Sequence, residues 1–297
     1  MGNIRVGTCS WADKTMIEAW YPTGLKNAAE RLGYYAAHFD TVEVDSSFYG
    51  LPSERNAQLW VERTPARFVF HVKAFAMMTR HAVRPQQLPA ALRDSHELEL
   101  DRYGRVKHPK GELRQAVFDW FSSALAPLRE AGKLGVVLLQ FPPYFVANRQ
   151  NCDYLVWAAE RLRPDPVAIE FRHVSWVEPE QWPHTLDLLA EHGLSYVGVD
   201  VPRVEAKNAL PPLTAATADI GYVRLSGRNA ETWNARVSSA AERFKYLYAE
   251  KELQEWVEPL HKLAEETETT YAMFNNCYRD YAARNADQLK ALLAASA

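Results

Sequence analysis

The sequence predicts an α/β protein folded as one (β/α)8 barrel with long loops after strands three and seven. Three observations lead there. Short runs rich in β-branched and aromatic residues alternate with longer helical patterns along all 297 residues, the order that gives parallel strands joined by crossover helices. Eight such runs occur, enough for a sheet to close on itself. No Gly/Ser linker, repeat or low-complexity tract divides the chain, so 1–297 reads as one domain of ordinary barrel size.

In order, strands are expected at 4–10, 41–47, 67–74, 135–141, 167–172, 195–200, 221–226 and 270–275. Helical patterns fall at 28–38, 54–63, 114–131, 152–162, 179–192, 250–266 and 280–293. The connection 202–218, between strands six and seven, is rich in Pro and Ala and gives the weakest helix of the expected eight. Segments 76–113 and 228–248 exceed normal connection lengths, and both follow the C-terminal ends of strands, where barrel enzymes carry their sites. The first holds His81, Arg84, His96, Arg102, Lys107, His108 and Lys110; the second holds Trp233, Arg236, Arg243 and two tyrosines. A lid or substrate-binding role is expected of both.

Composition narrows the function classes. Hydrophobic residues make up 47% and charged residues 24% of the chain, and the net charge is −3. That balance supplies a core but no global basic field for nucleic acid or membrane surfaces. Cys9, Cys152 and Cys277 are far apart and form no CxxC pair, so neither a disulfide framework nor a cysteine zinc site is suggested. The start, MGNIRVG, has no apolar signal segment, and Val6 stands where a myristoylation motif needs Ser or Thr. No apolar run is long enough to span a bilayer. A cytoplasmic protein without membrane contact is the expectation.

Barrel strands alternate between the interior and the helix layer. In strand five Val167, Ile169 and Phe171 suit the helices, so Ala168, Glu170 and Arg172 point inward. The same rule sends Glu43, Asp45 and Ser47 of strand two inward, with His71, Lys73 and Phe75 of strand three and Tyr222, Arg224 and Ser226 of strand seven. Gln140, Asp200 and Asn275 follow as residues of the interior or its mouth. Acids (Glu43, Asp45, Glu170, Asp200) and bases (His71, Lys73, Arg172, Arg224) thus converge on one space. An isolated buried charge is costly, so they must pair, bind water or bind ligand. One reading is a structural network with Glu43–Lys73 and Glu170–Arg224 pairs. The other is a ligand pocket, because an ordinary barrel fills these layers with branched apolar residues.

These stretches resemble the YecE-like family, the domain of unknown function numbered seventy-two. The matching motifs are GTCSW (7–11), WYP (20–22), VEVDSSFYGLP (42–52) and P-x-x-F-x-F-x-V-K (65–73). They continue with LGVVLLQFPP (134–143), AIEFRHVSW (168–176), VGVD (197–200), YVRLSGRN (222–229) and FNNCYRDYAARNADQL (274–289). The resemblance implies a TIM-type barrel with a charged pocket at its C-terminal face and implies no established reaction. Two departures stand out. Ser226 replaces a histidine common in the family's R-[LF]-H-G motif, and Asp45 replaces its usual Asn.

The common nucleotide, zincin and hydrolase fingerprints are absent from the sequence. Cys9, at a strand end, is either a nucleophile or a buried inert residue. His173 is either an acid/base or a cap on its strand end. Glu43, Asp45, Glu170 and Asp200, with His71 or His173, form a possible oxygen-rich Mg²⁺ or Mn²⁺ site, although the inward bases can neutralise the same acids without metal. No cofactor is required by this reading. The expected activity is hydrolysis of an anionic substrate, a phosphorylated sugar or a nucleic-acid fragment. Glu170 would be the acid/base, Glu43 would orient Lys73, and Lys73, Arg172, Arg224 and Arg228 would hold the anion. Gln140 and Asn275 would bond neutral groups, and Trp11 or Tyr49 would stack on a ring. His173 and Asp200 complete the set. On this view Arg224→Met weakens anion binding and leaves a folded protein. A non-catalytic binding protein or sensor for an anionic small molecule is the rival reading.

Overall fold

The protein is described by a computed structural model covering residues 3–106, 109–235 and 240–296. The expectations placed on Lys107, His108 and Arg236 lie outside these residues. Eight strands, β1 (Asn3–Thr8), β2 (Thr41–Val44), β3 (Val69–Lys73), β4 (Leu134–Gln140), β5 (Val167–Glu170), β6 (Ser195–Asp200), β7 (Ile220–Leu225) and β8 (Thr269–Phe274), form a closed barrel in chain order. Every pairing is parallel, and β8 returns to β1 over its whole length. Closure leaves no edge strand.

Local chemistry starts the main helices where the sequence places them. Asn27 accepts from Glu30 N (2.9 Å) ahead of the helix Ala28–His38, and Ser53 and Asn148 do the same for Glu54–Glu62 and Arg149–Glu160. The pattern at 114–131 is two helices, Gly111–Ala124 and Ala126–Glu130, because Pro127 opens a second one. The pattern at 250–266 also divides, into Glu250–Gln254 and Val257–Glu265. A short helix, Lys14–Ala19, was not expected.

Between β6 and β7 there is no helix at all. Pro202, Pro211 and Pro212 remove the donors a helix needs. Thr217 instead ties the connection down, accepting from Tyr196 N (2.8 Å) and donating to Leu194 O (2.6 Å). The first insertion, described over 76–106 and 109–113, holds the helix Ala90–Ser95 and a Leu100–Val106 bridge and buries Met77, Met78, Val83, Leu88 and Leu92. Among the described residues no helix is long and apolar enough to cross a membrane.

Register decides which residues share the interior, since aligned residues of parallel neighbours face the same way. Glu43 aligns with His71, Gln140 with Glu170, Tyr222 with Tyr271 and Val199 with Arg224. Asp200 aligns with the outward Leu225 and therefore faces the helix layer, contrary to the expectation from sequence. Val197 and Val199 take the inward positions of β6 instead.

Candidate functional site

Arg224 is the centre of the barrel. It is fully buried, as are Glu43 and Glu170. Its Nε and Nη2 donate to the two oxygens of Glu43 (3.1 and 2.6 Å), and Nη1 donates to Glu170 Oε2 at 2.6 Å. Tyr222, two residues earlier on β7, donates its hydroxyl to Glu43 Oε2 at 2.8 Å. Burial opposes charge on Arg224, but Glu43 and Glu170 outweigh it and hold the guanidinium protonated, well above its usual value. Every guanidinium nitrogen already meets an acid, so Arg224 is a strut across the lumen. The expectation that it is a free anion donor is corrected.

Glu170 carries a similar load. Arg172 Nε and Gln140 Nε2 (2.8 Å) both reach Oε1 while Arg224 takes Oε2. Burial alone would raise this carboxyl; Arg172, Arg224 and Lys73 outweigh that and carry it down to about 2. Glu170 is an anchor for two arginines, with no proton to give near neutral pH. Glu43 does not orient Lys73, because Lys73 pairs with Asp45 at 3.3 Å. Of the two ion pairs expected from sequence, Glu170–Arg224 forms and Glu43–Lys73 does not.

At the mouth, above this network, Lys73 Nζ also sits 4.9 Å from the Phe48 ring centroid. Asn275 donates to Ser226 Oγ at 3.2 Å, so Ser226 acts as a buried acceptor. Asp13 joins the mouth without having been singled out in the sequence. It stands at the start of Lys14–Ala19 but makes no capping bond, and its carboxyl turns toward Cys277 and Ser10. Burial, and then the Asp45 charge, push it up to about 6. An Asp one residue before a short helix reads as an N-cap, and only its failure to cap marks it. His81, from the first insertion, lies against Phe48 (4.9 Å) and is lowered to about 4 by burial and by Lys73 and Arg172.

Other expected residues fall elsewhere. His71 is sealed between Tyr271 (4.2 Å) and Tyr222 (5.0 Å), and its Nδ1 accepts from Val136 N at 3.1 Å. Gly135 makes room for it, since a Cβ there would lie 2.5 Å from the imidazole. His173 Nδ1 accepts from Ser175 N (3.1 Å) and caps the turn Val174–Trp176. Trp11 packs edge-on against Trp60 and Phe70 on the helix side. Tyr49 is 61% exposed on the rim and free to stack. The Cys9 thiol is buried and pushed up, first by burial and then by Glu43, which makes it a poor nucleophile.

Asp200 anchors the second insertion. Arg228 Nε donates to both its oxygens (3.1 and 3.0 Å), Trp256 Nε1 reaches it at 3.2 Å, and Arg203 pairs with it at 3.1 Å. Arg228 continues to Glu255 at 2.8 Å. Arg228 is thus committed to acids, like Arg224. Arg228→Met is expected to cost about 2 kcal/mol, as for a lost charge-assisted bond. Faster amide exchange in 226–235 and 240–248, with the barrel strands unchanged, is the check.

The possible metal ligands are not brought together. Glu43 and Glu170 are bound to Arg224, Asp200 faces the helix layer, and the Nδ1 atoms of His71 and His173 are taken by the backbone N–H groups of Val136 and Ser175. Among the described residues no three His, Cys, Asp or Glu are grouped to hold a metal ion.

Comparison with known proteins adds the lineage. Residues 5–297 match the family described as "Protein of unknown function DUF72". The chain is 31% identical over 294 residues to the UPF0759 protein YunF of Bacillus subtilis, covering 98% of this chain and 94% of that one. A DUF72 family protein of Enterococcus faecalis superposes with a TM-score of 0.80 at 28% identity, over 98% of this chain and 95% of the other. A DUF72 family protein of Thermotoga maritima gives 0.77 at 31% identity, over 98% and 99%.

Proposed function

The chain belongs to the DUF72 family, and on that premise we propose that the C-terminal mouth of its barrel binds a small anionic, hydroxyl-bearing molecule. One observation carries the reading: bases and acids with bonding capacity left over meet at the mouth. Lys73 and Arg172 are held by Asp45 and Glu170 yet keep donors without an acceptor among the described residues. Asp45 and Asp13, with Asn275, add acceptors beside them, and Tyr49 stands at the rim. Bases of this kind hold a phosphate or carboxylate by charge-assisted bonds, while carboxylates accept from hydroxyls. A phosphorylated sugar and a nucleic-acid fragment are the candidates.

Hydrolytic cleavage is the reaction these groups would serve. Lys73 and Arg172 would stabilise developing negative charge, and Asp13, at about 6, is suited to exchange a proton near neutral pH. A non-catalytic sensor is the second reading, favoured by the saturation of Glu170. The test exposes purified protein to a metabolite and oligonucleotide pool, with and without Mg²⁺ or Mn²⁺, and identifies what is retained and consumed. Lys73→Met and Arg172→Met are each expected to lower retention about 10- to 100-fold, as for a charge-assisted bond. Arg228→Met is expected to retain the ligand. Equal retention by all three variants rejects the site. Consumption that disappears in Asp13→Asn supports the enzyme, and retention without consumption supports the sensor.

A further inference from the structure

Trp233 closes the helix Ala230–Trp233 in the insertion after β7 and is 4% exposed. Its ring lies 5.6 Å from the Arg172 guanidinium. The indole N–H is buried and has no acceptor among the described residues, which is rare because nearly all buried donors are paired. The residue is also held firmly. Arg243 donates to the carbonyls of Trp233 and Ala235, and Asn229 caps the turn at Thr232 N. An orphan donor on a braced residue, beside an arginine with spare donors, marks a place where an acceptor comes from outside the chain.

The bonding capacity left over on Arg172, Lys73 and Trp233 is donor capacity. Arg172 spends Nε on Glu170 and keeps its terminal nitrogens, Lys73 is approached by Asp45, and Trp233 offers one N–H. None can accept. Their complement is a group with several acceptors and no donor. A carboxylate or phosphodiester offers two charged oxygens, whereas a terminal phosphoryl offers three and up to two charges. We propose that the mouth takes a phosphomonoester, its terminal phosphoryl held by Arg172, Lys73 and Trp233, with Trp233 selecting it over diesters and carboxylates. This rests on the anion reading above and chooses the phosphorylated small molecule over the nucleic-acid backbone.

The test titrates methyl phosphate, dimethyl phosphate and acetate into the full chain at constant ionic strength. Methyl phosphate is expected to bind at least about tenfold tighter than the other two at pH 7.5, and to weaken as pH falls through about 6, where the dianion takes a proton. Trp233→Phe keeps a ring on Arg172 and removes the N–H together with part of the indole, so an affinity loss of about tenfold is expected. In the wild type the indole proton resonance absent from Trp233→Phe should move on adding methyl phosphate, a readout that does not depend on the variant's affinity. Equal binding of all three anions, an unmoved indole proton, or unchanged affinity in Trp233→Phe overturns the assignment and leaves the anion reading standing. Binding of none of the three by the wild type removes both.

Discussion

Arg224→Met is expected to destabilise the protein by about 3–5 kcal/mol, the usual cost of removing one member of a buried ion pair. The substitution leaves Glu43 and Glu170 facing the same desolvated space, both with no exposed surface. Arg172 and Gln140 still serve Glu170, but among the described residues Glu43 keeps only the Tyr222 hydroxyl. Urea unfolding at pH 7.5 measures the loss. The combined replacement Glu43→Gln/Arg224→Met/Glu170→Gln should recover part of it, because removing a whole buried network is often far less harmful than breaking it. A single variant within 1 kcal/mol of wild type would mean that the strut carries little. Reading Arg224 as a ligand donor missed this because sequence does not show which acid faces a base across the lumen.

Acid should unfold the protein partly through His71. Burial, then the Arg5 charge, lower this imidazole to about 3, whereas in the unfolded chain it takes a proton near pH 6.5. Between those values the unfolded state binds more protons than the folded one. The contribution is therefore complete above about pH 6.5 and is lost as pH falls toward 3. From pH 7.5 to 5 the loss attributable to this one group is about 2 kcal/mol. In His71→Asn the amide oxygen can replace Nδ1 as acceptor for Val136 N, and nothing there titrates. Urea unfolding at both pH values should show a fall smaller by about 2 kcal/mol in the variant. Equal falls would assign the acid sensitivity to other groups, such as His81.

What the sequence by itself determined is the barrel and most of its polarity. Strands β2, β3, β5 and β7 alternate between apolar and ionisable residues, and a period of two assigns faces without any tertiary information. Glu43, Lys73, Glu170 and Arg224 were legible inside for that reason. The β6 strand offered no such contrast. Tyr196, Val197, Val199 and Asp200 are all buried, on both faces, so only its register against β7 places Asp200 with the helices. Partner choice also belonged to the closed sheet. Glu43 and Arg224 lie 181 residues apart on non-neighbouring strands, and only curvature of the sheet brings them across the lumen ahead of the nearer Lys73. Asp13 and Trp233 stayed hidden for a related cause: one resembles a helix cap and the other a core aromatic. Their distinction is a bond not made, by the Asp13 side chain to its helix and by the Trp233 N–H to any acceptor among the described residues. Sequence periodicity reports which way a side chain points, and three-dimensional packing alone decides what it meets there.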